Sequence, residues 1–143
     1  MKIPAPPAPV AVSQPAPTTN DGPVKVVVGD TFKSQVLDSG KDVLLLVYAP
    51  WCGHCKKLEP TYEEFAKLVA ESKSANEALV VAKMDGSANR LPDEKYKVTG
   101  FPTVWFFKKG SDTPIEFMGE RTANGLASFV QQHSSVSGRL FSP

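Results

Sequence analysis

Two patterns of apolar residues organise the middle of the chain. Residues 42–48 are nearly all Val and Leu, which is typical of a strand covered on both faces, as in a parallel sheet. In the next segment, apolar residues recur at helical spacing, at Leu58, Tyr62, Phe65 and Val69. This spacing predicts an amphipathic helix over about 53–72. Pro60 lies inside that segment, so we expect it to kink the helix.

Shorter patterns predict the remaining elements. Apolar and β-branched runs predict strands over 24–28, 79–84, 103–107 and 115–118. Helical turns are predicted over 31–37, with Asp30 as N-cap, and over 92–96. A final helix has an apolar face formed by Leu126, Phe129 and Val130, with Thr122 as its N-cap. The order β-α-β-α-β-α-β-β-α predicts an α/β sheet with parallel and antiparallel parts.

The two ends of the chain differ from its middle. Residues 1–23 hold seven of the thirteen prolines and show no helical or strand period, so we expect a disordered linker. They also lack the pattern of a signal peptide, so we expect an excised module of a longer protein. The predicted domain covers 24–134, and the Ser- and Gly-containing residues 135–143 are predicted to be a tail.

Charge and hydropathy exclude two classes of partner. Sixteen Lys and Arg residues against fifteen Asp and Glu give a net charge of +1, so no basic field exists to hold a phosphate backbone. The longest uninterrupted apolar run, 43–47, is far shorter than the roughly 20 residues that span a bilayer. We therefore expect no nucleic-acid partner and no membrane, and nothing in the sequence indicates an oligomer.

The sulfur chemistry of the chain is confined to one place. Its two cysteines lie in the run WCGHCK over 51–56. Cys52 stands where a buried strand is predicted to end and a helix to begin. Unpaired N–H groups and the helix dipole stabilise a thiolate there and lower its pKa below the roughly 8.5 of a free thiol. Cys52 is therefore the predicted nucleophile. Cys55, one turn inward, is the predicted resolving thiol and disulfide partner.

The neighbouring residues favour one direction of exchange. Protonated His54 adds charge stabilisation to a Cys52 thiolate, and Lys56 adds a weaker, more screened potential. A better stabilised thiolate favours the reduced form and makes the pair a stronger oxidant. The motif thus favours donation of disulfides over reduction.

Other uses of the cysteine pair fit less well. A closed zinc site needs four ligands, and the second histidine, His133, lies in the distant last helix. Covalent haem attachment requires His directly after the second Cys, where this chain has Lys56. Two inert buried thiols are a further alternative, which the strand-to-helix position disfavours. We expect no metal and no cofactor.

Four segments carry a resemblance to a known family. They are YAPWCGHCK at 48–56, AKMD at 82–85, GFPT at 100–103 and GERT at 119–122. Over 24–134 the chain resembles the protein disulfide isomerase family within the thioredoxin superfamily. The run NDGPV at 20–24, after a Pro-rich stretch, is similar to the start of the second, C-terminal catalytic domain in that family. The resemblance implies a thioredoxin fold, with a central mixed five-stranded sheet flanked by four helices.

The resemblance also implies roles for residues outside the cysteine motif. Pro102 is expected to be cis and to lie against the cysteine pair, although the residues alone favour a trans proline at a strand start. Phe101 would offer backbone groups to an extended substrate, and Trp51 would add apolar contact or simply pack. Arg121 matches an arginine that lowers the pKa of the inner cysteine; an ordinary exposed arginine is the alternative. The predicted site comprises Trp51, Cys52, Gly53, His54, Cys55, Phe101, Pro102 and Arg121.

At one position the chain departs from the family. Six residues before Cys52 the family has a buried Glu that accepts the proton of the inner cysteine, and here Leu46 stands instead. Lys83 matches the lysine that pairs with this Glu, so we expect Lys83 to lack a partner and to extend to water. Proton removal from Cys55 then falls to water, to a neutral Lys83 or to Glu59, one helical turn along. We expect slow deprotonation of Cys55, which a Glu at position 46 would speed.

These features and the resemblance predict an enzyme. The expected activity is thiol-disulfide oxidation and isomerisation in folding secretory proteins, in the endoplasmic reticulum lumen, with glutathione or an upstream thiol oxidase as redox supply. Two alternatives stay open: a cytosolic thioredoxin-type reductant with the opposite direction of exchange, and a redox-inert chaperone module that binds unfolded chains. A strongly reducing redox potential of the domain would favour the thioredoxin-type reductant. Suppression of aggregation by a variant without the two cysteines would favour the chaperone module.

Overall fold

A computed structural model describes residues 13–91 and 96–135 of the chain. Within them, five strands form one mixed sheet in the order β1-β3-β2-β4-β5. The strands are β1 Lys25–Val26, β2 Asp42–Tyr48, β3 Leu79–Asp85, β4 Thr103–Phe107 and β5 Ile115–Glu116. The first three are parallel, β4 is antiparallel to β2, and β5 is antiparallel to β4. β2 is therefore the central strand, and its carboxyl end leads directly into the cysteine motif.

Four helices accompany this sheet in the described residues. They are α1 Lys33–Leu37, a short π-type turn, α2 Gly53–Glu71, α3 Lys73–Ala78 and α4 Ala123–His133. A 3₁₀ turn, Gly29–Thr31, precedes α1. α2 is the longest helix and contains Pro60, which has no N–H to donate to the carbonyl one turn before it.

The strong sequence patterns predict their elements well. β2 and β4 occupy the predicted residues, and α2 ends one residue before the predicted end. Thr122 is confirmed as the N-cap of α4, since its Oγ1 accepts the N–H of Gly125 at 2.9 Å. β1 and β5 are shorter than predicted. The helical turn predicted over 92–96 lies outside the described residues except for Tyr96, and so does the predicted tail beyond residue 135.

Two local predictions are wrong or incomplete. Asp30 is not an N-cap, because it lies inside the 3₁₀ turn; Val28 precedes that turn, and its N–H donates to Oγ1 of Thr31 at 3.0 Å. Helix α3 is not predicted by the sequence pattern. Its single buried residue, Ala75, gives no apolar period, and the helix forms behind an N-cap, Ser72, whose hydroxyl accepts the Ala75 N–H.

The core lies on both faces of β2, whose residues 42–47 are all buried. Leu44 and Leu46 pack on one side of the sheet with Tyr62 and Phe65 of α2. Val43, Leu45 and Val47 pack on the other side with Phe32 and Trp105. Each fully buried Leu or Val contributes about 1.5–3 kcal/mol to stability. The continuous apolar run in the sequence is thus explained by this two-sided burial.

Tyr62 fixes α2 against the sheet. Its side chain is 1% exposed, and its hydroxyl donates to the carbonyl of Leu44 at 2.9 Å and lies 2.6 Å from the carbonyl of Ala82. These contacts tie the helix to both β2 and β3. The start of α2, where the cysteines lie, is therefore held at the carboxyl end of β2.

Part of the segment predicted as a linker contacts the domain. The side chain of Asn20 donates to the carbonyl of Val26 at 2.9 Å and accepts the N–H of Val26 at 2.8 Å. The N–H of Gln14 donates to Oδ1 of Asn89 at 2.9 Å. Residues 1–12 lie outside the described part of the chain, so the domain boundaries stay predictions.

Candidate active site

Cys52 is the N-cap of α2. Residues 49–51 carry the chain from β2 to the helix, and Sγ of Cys52 accepts the N–H of Cys55 at 3.2 Å. A sulfur in this position faces N–H groups that the first turn of a helix leaves without internal partners. The two residues are therefore in contact at the beginning of α2, as the spacing predicts. Both cysteines are buried and are free thiols in this structure.

The surroundings of the two thiols separate their pKa values. The pKa of Cys52 is lowered, first by the hydrogen bond with the Cys55 side chain and then, against the opposing effect of burial, by the N–H groups of Cys55 and His54. The pKa of Cys55 is raised to about 11, first by burial and then by its hydrogen bond with Cys52. Cys52 is thus suited to exist as the thiolate, and Cys55 to hold a proton until it is removed.

The loop before β4 closes one side of the cysteine pair. The Phe101–Pro102 peptide bond is cis, as the resemblance implies. Sγ of Cys52 lies 3.6 Å from the carbonyl oxygen of Phe101, to which the thiol donates. The rings of Trp51 and Phe101 meet edge to face with centroids 5.7 Å apart. Trp51 is 70% exposed, so an apolar surface lies directly beside the nucleophile.

Gly86 is a site residue that the sequence analysis missed. A Cβ at this position would lie 2.6 Å from Cγ1 of Val47 and 2.7 Å from the ring of Phe101. The N–H of Gly86 donates to the carbonyl of Tyr48 at 2.7 Å. A glycine here allows the loop after β3 and the ring of Phe101 to pack closely together. The Gly-Ser pair at 86–87 signals a turn, but no local pattern reveals the contact with Phe101.

The basic residues of the predicted site, and the neighbouring Lys56, lie at the protein surface. His54, Lys56 and Arg121 are exposed. The positive charge of Arg121 lowers the pKa of both thiols, as the smallest of the causes acting on each. Arg121 therefore lies within electrostatic reach of the pair, and its predicted tuning role stays a prediction. Gly53 is exposed, and a Cβ on it would meet nothing within 4 Å.

A cavity of about 230 Å³ opens beside Cys55, on the side of the sheet that faces α2. It is lined by Leu46, Tyr48, Ala49, Pro50, Cys55, Lys56, Glu59 and Lys83. Nζ of Lys83 lies 3.6 Å from Oε2 of Glu59 and 5.7 Å from the centroid of the Tyr48 ring. The prediction that Lys83 lacks a partner is therefore wrong. Glu59 of α2 supplies the carboxylate that Leu46 of β2 does not.

Two further features are absent from the described part of the chain. Among residues 13–91 and 96–135, no three His, Cys, Asp or Glu side chains lie together as metal ligands would. Within the same residues, no helix has the length and apolarity needed to cross a bilayer.

Comparison with known proteins extends this description. The family model described as Thioredoxin matches residues 23–132. Human protein disulfide-isomerase A4 is 50% identical over 133 residues, which make up 92% of this chain and 20% of that protein. Protein disulfide-isomerase of Aspergillus niger is 47% identical over 122 residues, or 85% of this chain and 23% of that protein. The chain thus spans about a fifth of the length of these curated relatives.

A solved structure supports the same assignment. The first thioredoxin domain of mouse protein disulfide-isomerase A4 matches with a TM-score of 0.68 at 31% identity, covering 90% of this chain and 85% of that one. The expected thioredoxin fold is confirmed by this match. Because the family model spans most of the chain and the solved domain matches it in fold and sequence, the chain belongs to the thioredoxin family, as a domain of the protein disulfide isomerase type.

Proposed function

We propose that this domain catalyses thiol-disulfide exchange on protein substrates, forming, breaking and rearranging disulfide bonds. One observation carries the proposal: two cysteines lie in contact at the start of α2, and the pKa values of their thiols are moved in opposite directions. A nucleophile that is ionised and a partner that stays protonated are what a two-step exchange requires. Relatives named protein disulfide-isomerase support the same assignment.

The reaction proceeds through a mixed disulfide. The Cys52 thiolate attacks one sulfur of a substrate disulfide, that S–S bond breaks, and the other substrate sulfur leaves as a thiolate. Cys55 then loses its proton and attacks Cys52, which releases the second substrate sulfur and leaves a Cys52–Cys55 disulfide. Oxidation of substrates is the reverse sequence. Isomerisation results when the released substrate thiolate attacks another substrate disulfide. The thiolate freed there then attacks the substrate sulfur of the mixed disulfide, which breaks the bond to Cys52 and releases Cys52 as the thiolate.

The surface beside Cys52 is suited to unfolded chains. Trp51 and Phe101 offer apolar area, and the residues around Pro102 lie next to the nucleophile. An extended peptide bound through main-chain hydrogen bonds needs no particular sequence. We therefore propose Trp51, Phe101 and Pro102 as substrate contacts, with His54 and Arg121 tuning the thiols.

The resemblance also supports a proposal for the biological setting. We propose that the substrates are unfolded or misfolded secretory proteins in the endoplasmic reticulum lumen, with a thiol oxidase or glutathione as redox partner. We also propose that the domain acts as a monomer and occupies the C-terminal catalytic position of a longer protein. The last point rests on the NDGPV run at 20–24 after a Pro-rich stretch; the similarity to a first thioredoxin domain does not assign a position.

Recovery of activity from scrambled ribonuclease tests the proposal. The wild-type domain is expected to restore ribonuclease activity in a glutathione buffer, and the Cys52→Ser variant to lose this ability. A redox potential of about −180 mV would support the isomerase, whereas one of about −270 mV would indicate a thioredoxin-type reductant. If the Cys52→Ser, Cys55→Ser variant suppresses aggregation while the wild type shows no exchange, the domain is a binding module.

A further inference from the structure

Resolution of the mixed disulfide poses a problem of proton transfer. Cys55 is 4% exposed, and its sulfur attacks only as the thiolate. Cys52 cannot take the proton at this stage, because its sulfur is bonded to the substrate. Some other group beside Cys55 must accept the proton.

The cavity beside Cys55 contains few groups able to do so. The titratable or charged groups near it are Tyr48 of β2, Lys56 and Glu59 of α2, Lys83 and Asp85 of β3, and Arg121 before α4. Lys56, Lys83 and Arg121 are cations, and burial with the nearby Asp85 and Glu59 charges raises the pKa of Tyr48. Among the described residues that line the cavity, Glu59 is the one carboxylate.

Helix geometry places Glu59 next to Cys55 on the same side of α2. Residues four apart on an α-helix are about 5–6 Å apart at Cβ, and side chains lean toward the helix N-terminus. The side chain of Glu59, which is about half exposed, is therefore expected to lean toward the turn that contains Cys55. Lys83, in the neighbouring strand β3, holds one carboxylate oxygen at 3.6 Å. The cavity of about 230 Å³ is mostly apolar, but Cys55, Glu59 and Lys83 all line it, and its volume has room for water between the carboxylate and the thiol.

We propose that Glu59, held by Lys83, accepts the proton of Cys55 through water in this cavity when the mixed disulfide is resolved. The proposal deepens the exchange function proposed above and rests on it. In the step, the Cys55 S–H bond breaks, the proton passes to the Glu59 carboxylate, and a Cys52–Cys55 bond forms as the Cys52–substrate bond breaks. The substrate sulfur leaves with the electron pair, and the proton on Glu59 returns to solvent or to that thiolate.

Rapid-quench mass spectrometry of the reduced protein tests this role. Oxidised glutathione is added, the reaction is quenched with acid, and the glutathione adduct and the internal disulfide are counted against time and pH. Glu59→Gln is expected to slow conversion of the adduct by about tenfold or more near neutral pH, while formation of the adduct at Cys52 stays within about twofold. The defect should shrink as pH rises toward about 11, where Cys55 ionises without an acceptor.

The control is Glu63→Gln, which removes the same charge one turn further along α2, outside the cavity lining. It is expected to match the wild type in both steps. The proposal is overturned if Glu59→Gln converts the adduct at the wild-type rate, or slows both steps equally at every pH, as a purely structural role would. If the wild type itself forms no internal disulfide, the exchange function fails, and this proposal fails with it.

Discussion

Leu46 and Lys83 are register partners on the neighbouring strands β2 and β3, yet the ammonium group of Lys83 pairs with Glu59 of α2, 3.6 Å away. Leu46 is 2% exposed and belongs to the apolar core. The carboxylate beside Cys55 therefore comes from the helix instead of the strand. This arrangement changes what a glutamate at position 46 is expected to do.

A glutamate at position 46 should replace Glu59 in its role. Strand partners in register point to the same side of a sheet, so a carboxylate there would lie next to Lys83 and line the same cavity. In the Glu59→Gln background, Leu46→Glu is expected to restore resolution of the glutathione adduct to within about threefold of the wild type. In the wild-type background, Leu46→Glu would place two carboxylates, at positions 46 and 59, beside the single ammonium group of Lys83. This single variant should therefore have a free energy of unfolding lower by about 2–4 kcal/mol.

The matched control is Leu46→Gln in the same Glu59→Gln background. It buries a polar group of the same shape without an acceptor charge, so resolution should stay slow. Equal recovery in the two double variants would show that polarity in the cavity, and not a carboxylate, sets the rate. Urea unfolding of each variant separates this effect from loss of folded protein.

The two thiols should differ in their reaction with iodoacetamide. Because its pKa is lowered, Cys52 has a larger thiolate fraction at neutral pH than free cysteine has, and its rate should fall only when pH drops through that lowered value. Cys55, with its pKa raised to about 11 and its sulfur buried, should stay unmodified at pH 7. Peptide mapping of the singly alkylated protein checks the order. Preferential labelling of Cys55 would reverse the assignment of nucleophile and resolving thiol.

The sequence predicts those parts of the molecule that depend on long or specific patterns. β2, α2 and the N-cap Thr122 follow from apolar runs, helical spacing and cap chemistry. The sequence does not predict α3, because this helix buries a single alanine and has no apolar periodicity; it begins behind the N-cap Ser72. The sequence does not predict the Lys83–Glu59 pair either, because the two residues are 24 positions apart and only the fold brings them to the same cavity. Spacing along α2 does place Glu59 near Cys55.

Trp51 should contribute to binding of unfolded proteins more than to the chemistry of exchange. Its ring is 70% exposed and meets Phe101 edge to face, so truncation removes contact area with little loss of packing. Trp51→Ala is expected to raise the KM for reduction of a disulfide in an unfolded protein by about fivefold or more. The rate of reaction with oxidised glutathione should stay unchanged. Met118→Ala removes another exposed apolar side chain, which is not among the residues packed around Cys52 and Cys55. This control variant should change neither the KM nor the rate. Equal losses on both substrates would indicate that Trp51 acts on the thiol itself.

Gly86→Ala tests whether close packing of the loop after β3 positions the nucleophile. The new methyl group would lie 2.6 Å from Cγ1 of Val47 and 2.7 Å from the Phe101 ring, so one of these must move. Overpacking of this kind costs about 1–3 kcal/mol. Since the Phe101 carbonyl accepts from Sγ of Cys52 at 3.6 Å, displacement of Phe101 should also alter the pH dependence of Cys52 alkylation. Urea unfolding and alkylation rates measure the two effects.

Gly100→Ala is the control for this substitution. A Cβ at Gly100 would meet nothing within 4 Å, and its φ lies outside the left-handed region. Alanine there should change the free energy of unfolding by less than about 1 kcal/mol, because it only restricts the unfolded chain. If Gly86→Ala is as stable as Gly100→Ala and alkylates like the wild type, then Val47 and Phe101 adjust freely. In that case the site does not depend on the close contact at Gly86, and Phe101 is not held in place from that side.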